Sequence, residues 1–168
     1  NVLSASVYDN YVLNIFSKVL PRLVLMSSQK EKIKDEIGIC LLHDSVDERT
    51  ARLLINKTDE NYPNGIKNYK IKIIKTTYSN INKCKNTKLI FLLNSDKKNI
   101  KNALNLSTKH KILISSYSYE LLEFGVGISM YLGRKINPYI NINSIHKKEI
   151  EINNNLLRIS KIYNKETN

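Results

Sequence analysis

Four short apolar runs, separated by stretches with helical spacing, constrain this chain more than any other feature. "IGICLL" (37–42) and "KILIS" (111–115) read as buried strands, "YKIKIIKT" (69–76) alternates as a half-buried one, and "TKLIFLLN" (87–94) is a continuous apolar run. A run that lacks alternation suits a central strand covered on both faces. "SVDERTARLLINK" follows the first strand, with Ser45 and Glu48 in a capping pattern and Ala51, Leu54 and Ile55 on an inner face. After the third strand, "SDKKNIKNALNLS" offers Ser95 as a cap and a face of Ile100, Ala103, Leu104 and Leu106. A parallel pair of strands needs a long crossover, so strand–helix alternation predicts a largely parallel sheet with helices on its faces. The fold class expected is α/β: a single-domain layered sandwich over 1–168, mostly parallel sheet flanked by helices.

The ends differ from the middle. Tyr8, Tyr11, Val12, Ile15, Phe16 and Val19 recur at helical spacing, with Ser6 and Asp9 as a capping-box-like start and Pro21 as an interruption. "YPNG" (62–65) signals a turn. "GISMYLGRKINPYININ" predicts a C-terminal hairpin about Gly133-Arg134, and "NNNLLRISKIY" a short amphipathic helix. With 168 residues, 42% hydrophobic and 25% charged, the chain suits one globular core. No run reaches the 18 or so apolar residues that cross a bilayer, so direct membrane insertion is not expected. The opening "NVLSASVYDN" has no methionine, which predicts a mature protein whose leader has gone or a domain cut from something larger.

A net charge of +12 raises nucleic acid or an anionic surface as a partner. Yet the lysines are scattered among Asn and Ile along the whole length, and phosphate binding needs charges that converge on one surface. No nucleic-acid partner is expected. Lys70 and Lys72 share one face of a strand, which reads as a solvated face or a protected edge.

Chemistry-bearing patterns are sparse. Gly125 and Gly127 precede a strand, where a nucleotide fingerprint precedes a helix, so they read as turn glycines. His43, His110 and His146 are far apart, and nothing in the sequence joins them to a nucleophile. His43 and Asp44 follow a predicted parallel strand, where α/β folds place their sites, and a lone Asp44 could accept a phosphoryl group or hold magnesium. Cys40 and Cys84 lack metal-site spacing. Two readings of them stay open here: two buried apolar side chains in a reduced protein, or a bridge. The bridge would span 44 positions and contribute roughly 4 kcal/mol in the chain-entropy model.

The order of features resembles the YfiR family of small periplasmic bacterial proteins over nearly the whole chain. The stretches that carry the resemblance are "YVLNIFSKVLP", "IGICLLHDS", "CKNTKLIFLL", "KILISSYS", "EFGVGISMYL", "YININ" and "EINNNLLRISKIY". Departures are the lack of Trp before Pro21, His43 in place of a glycine, and Val126 between the two glycines. The resemblance implies a Cys40–Cys84 disulfide, a periplasmic location and no enzymatic activity. It further implies a regulator, without cofactor or metal, that binds and represses the sensor region of a membrane diguanylate cyclase and so tunes cyclic di-GMP and biofilm formation. It maps partner binding onto Tyr139, Ile140, Ile142, Ile145 and Ile150, of which Ile140 and Ile142 also read as one buried strand face, while Tyr139 and Ile145 are expected to be exposed. A homodimer is a further expectation. Two alternatives remain: a ligand-sensing domain of a larger membrane receptor such as a histidine kinase, and a small enzyme or phosphoacceptor using Asp44.

Overall fold

A computed structural model describes residues 7–165. Helix α1 (Asn10–Leu25) leads through a 3-10 turn to β1 (Glu36–His43) and α2 (Glu48–Asn61). β2 (Lys70–Thr77) passes through a 3-10 segment (Tyr78–Cys84) to β3 (Leu89–Leu92), α3 (Lys97–His110) and β4 (Leu113–Ser116). Another 3-10 segment (Tyr119–Phe124) precedes β5 (Ile128–Leu132) and β6 (Ile136–Ile140), followed by α4 (Ile142–His146), α5 (Asn154–Ile159) and β7 (Lys161–Ile162).

These strands form one sheet in the order β2-β1-β3-β4-β5-β6-β7. The first five are parallel, β5 and β6 form the antiparallel hairpin, and β7 runs parallel to β6. The architecture is thus the mostly parallel, helix-flanked α/β sandwich with a C-terminal hairpin. Lys70 and Lys72 sit exposed on β2, an edge strand.

Strand alternation divides the core. Ile37, Ile39 and Leu41 of β1 join Leu89, Phe91 and Leu113 on the face covered by α1 and α2, where Phe16, Leu20, Ala51 and Leu54 pack. Cys40 and Leu42 face the other way, joining Ile90, Leu92 and Ile114 beneath Ile100, Ala103 and Leu106 of α3. The crossover from β1 to β2 moves one way along the sheet, and those from β2 to β3 and β3 to β4 move the other. Right-handed connections therefore place α2 on one face and α3 on the opposite one.

Several local expectations change. The buried arc of α1 includes Leu13 and Leu20, and Tyr11 is 69% exposed. Asp9 caps this helix by accepting from the Tyr11 and Val12 amides; Ser6 lies outside the described residues. Pro21 stands inside α1, which continues to Leu25, because the residues around the missing amide bond, Leu20, Leu23 and Val24, are held in the core. Asp96 caps α3 by accepting from the Asn99 amide, which leaves the Ser95 hydroxyl to donate to Asp44 instead. Ile140 and Ile142 do not share a strand face, since β6 ends at Ile140 and Ile142 opens α4. Asn141 makes the break: its side chain accepts from the Ser144 amide and donates to the Leu122 carbonyl.

Phe91 is fully buried, with its ring centroid 4.8 Å from that of Phe16. Phe91→Ala is expected to cost about 3–5 kcal/mol in urea unfolding, the range for emptying a buried aromatic site. A cost below about 1 kcal/mol would contradict a sheet packed against α1 at this point.

Candidate functional site

The most constrained point lies beneath β1. The connection from β2 to β3 crosses under β1 on the α3 face, and its 3-10 segment ends at Cys84. Cys40 points to that same face, and the two form a disulfide with Sγ–Sγ 2.03 Å and Cα–Cα 5.2 Å. Both cysteines are fully buried. The Thr87 hydroxyl donates to the Cys84 carbonyl at 2.7 Å, and the Tyr78 hydroxyl donates to the Leu93 carbonyl, so both ends of the crossover are tied near β3. The bridge therefore fastens β1 to the crossover that passes it rather than to the neighbouring strand β3.

The carboxyl ends of β1 and β3 flank the point where strand order reverses, the usual ligand crevice of an open α/β sheet. Here that crevice is filled from within. Tyr8, 6% exposed, donates its hydroxyl to Asp47 Oδ2 at 3.1 Å and accepts from the Asn94 amide at 2.9 Å. Burial pushes its phenol well above the ordinary tyrosine range, and the nearby Asp47 pushes the same way. Asp44 Oδ1 accepts from the Ser95 hydroxyl at 2.7 Å, and Ser95 Oγ accepts in turn from Asn99 Nδ2 at 2.9 Å. His43 is buried, with Nδ1 2.7 Å from the Asp44 carbonyl oxygen, which makes Nδ1 the protonated nitrogen. Asp44 thus ties β1 to the start of α3, and His43 ties back to its own turn. His110 and His146 are exposed elsewhere. Among the described residues no cluster of three or more His, Cys, Asp or Glu is placed to hold a metal ion.

The residues mapped to partner binding come together at the other end of the sheet, mostly as core. Tyr139, expected to be exposed, is 8% exposed, and Ile145, also expected outside, is 1% exposed. Ile140 and Ile150 are fully buried, and Ile142 is half-buried. Tyr139 is enclosed by Tyr119, Tyr131 and Tyr163, with centroids 6.2, 5.6 and 5.9 Å away, while the Lys161 ammonium lies 3.6 Å over the Tyr131 ring. Ile145 packs onto Gly127, where a Cβ would come within 2.8 Å of Ile145 Cγ1. Sequence reasoning missed the apolar side chains this region does expose, among them Phe124, Leu132 and Ile159. No local pattern marks them: each is the last residue of its element, Phe124 of the 3-10 segment before the Gly125 turn, Leu132 of β5 and Ile159 of α5.

These features define a class: a doubly wound α/β domain with its switch-point crevice filled and its β2–β3 crossover stapled to the central strand. The model of the YfiR/HmsC-like family matches residues 18–161, and the chain belongs to that family. No curated protein matches it significantly. Among solved structures it is similar to the ABC domain in complex with L-Trp from Streptococcus pneumonia, with TM-score 0.63 and 9% identity over 88% of this chain and 60% of that one. It is also similar to a conserved domain protein from Vibrio cholerae O1 biovar eltor, with TM-score 0.64 and 8% identity over 89% of this chain and 59% of that one. The chain spans about three-fifths of the length of each, and likeness at such identity shows the fold alone.

Reduction should lower the melting temperature, and Cys40→Ser paired with Cys84→Ser should cost about 2–4 kcal/mol in denaturant unfolding. Identical melting with and without reductant would contradict a structural role for the bridge.

Proposed function

We propose that this protein is a periplasmic, non-enzymatic regulator, a single YfiR-like domain that binds the sensor region of a membrane diguanylate cyclase and holds the enzyme off. The observation that carries the reading is the family match across residues 18–161. The buried Cys40–Cys84 bridge supports it, because such bridges persist in oxidising compartments. No helix among the described residues is long and apolar enough to cross a membrane, which fits a regulator that meets its partner from outside the bilayer.

Repression of this kind is a difference in affinity. A regulator that binds the inactive receptor better than the active one shifts the balance by that difference alone. Its surface must therefore keep one shape. The segment carrying Tyr139, Ile140, Ile142, Ile145 and Ile150 takes part in binding, in this reading, by holding that shape from inside. Contact with the partner falls, in this reading, to exposed side chains beside that segment, such as Tyr119, whose ring lies 6.2 Å from that of Tyr139, and Phe124, 52% exposed.

Deleting the gene in its host should raise cellular cyclic di-GMP about fivefold or more, the low end of ordinary allosteric coupling. Plasmid-borne wild type should restore the level, and a Phe124→Asp variant of unchanged melting temperature should restore it less. An unaltered cyclic di-GMP level on deletion would overturn the proposal.

A further inference from the structure

Against the outer flank of α3 lies a cleft of about 690 Å³, closed by the Gly125 turn, α4 and the segment after β7. Among the described residues its walls carry Lys101, Lys147, Lys148 and Lys165 against one carboxylate, Glu123. Three of these lysines are exposed and unremarkable on so basic a chain. Lys148 is different, being only 5% exposed. Its ammonium makes no hydrogen bond or ion pair among the described residues. The adjacent Glu149 carboxylate is engaged by Lys111 on the other side of the turn.

A lysine this deep is costly unless something compensates its charge. The stem runs along the protein, so that only 5% of the residue is exposed, while the ammonium opens onto the cleft it lines. Burial is the sole cause acting on this group, and it pulls the ammonium down to about 8, so Lys148 remains largely protonated at neutral pH. The surrounding polar groups do not relieve it. Asn141 is committed to the Leu122 carbonyl and the Ser144 amide, and the Ser144 hydroxyl to the Gly125 carbonyl. These bonds hold the wall of the cleft in place and, among the described residues, leave the cation without a bonded counter-charge. The cleft has the volume of a small-molecule site.

We infer that this cleft binds a small anion bearing a phosphate or carboxylate group, with the Lys148 ammonium as the cation that receives the charge. The inference is independent of the regulatory reading above, since it concerns binding at the flank of α3 whatever the protein's partner. The site also lies away from the carboxyl ends of the parallel strands, where Tyr8 already fills the crevice.

The test is calorimetric and thermal-shift titration of the full chain with inorganic phosphate and, separately, succinate, at constant ionic strength and pH 7. Saturable binding of at least one is expected, and the tighter of the two identifies the preferred head group. Lys148→Met should abolish it, whereas Lys109→Met, which removes an equal charge from the exposed end of α3, should not. Lys148→Met is expected to fold at least as well as wild type, because methionine keeps the packing of the buried stem and removes a charge that burial disfavours. A second measurement needs no variant. Around Lys148 stand Lys101 of α3, Glu123 before the Gly125 turn, Lys147 of the α4 end, and Tyr163 and Lys165 of the last segment. Ordinary lysines discharge near 10.4 and succinate stays a dianion throughout, so succinate binding governed by surface charge would hold from pH 7 to pH 9, whereas binding governed by Lys148 should weaken roughly tenfold. Absence of saturable binding, equal binding by Lys148→Met, or a flat response from pH 7 to pH 9 would each overturn the inference.

Discussion

The two-sided burial of β1 is the constraint on which the other elements depend. Every residue from Ile39 to Leu42 is almost wholly withdrawn from water, and β2 and β3 occupy both of the strand's hydrogen-bonding edges. Because successive side chains alternate, one short segment seeds two cores: Ile39 and Leu41 against α1 and α2, Cys40 and Leu42 against α3 and the β2–β3 crossover. A slip of one residue would turn Cys40 toward the wrong face and leave Cys84 without a partner. The disulfide and the hydrophobic pattern therefore specify the same register.

This arrangement bears on function through rigidity at one end of the sheet and packing at the other. At the carboxyl ends of β1 and β3, Tyr8, Asp44, Asp47 and Ser95 bond to one another or to the backbone and occupy the space an α/β enzyme would give to its ligand. At the hairpin end, the tyrosines around Tyr139 and the contact of Ile145 with Gly127 hold β5, β6 and α4 as one packed unit. A protein that acts by gripping a partner in one conformation needs such a surface more than it needs a mobile loop.

Legibility from sequence varied with the range of the interactions involved. The long periodic segments could be read because burying them on a sheet requires the same spacing wherever they sit. The short C-terminal elements could not. "YININ" has the period of a strand, but Asn141 intervenes with a helix cap whose second bond reaches back to Leu122. "SKIY" continues the spacing of the helix before it, yet Lys161 and Ile162 extend to pair with Tyr139 and Ile140. At Ser95 and Asp96, two capping residues stood side by side, and only the distant Asp44 decided which of them closes the helix.

The sequence by itself determined the alternation of strands and helices, and with it a parallel sheet, a split core and a closing hairpin, because those follow from the periodicity of apolar residues along the chain. Its order of motifs also carried the family resemblance. Only the tertiary structure decided that the two sulfurs join a strand to the crossover beneath it, that Tyr8 fills the switch-point crevice, and that Tyr139 and Ile145 face inward. It likewise decided that Lys148 lies largely buried with no bonded counter-charge among the described residues. Each of these depends on which residues distant in the chain occupy the same volume, and no local spacing encodes that.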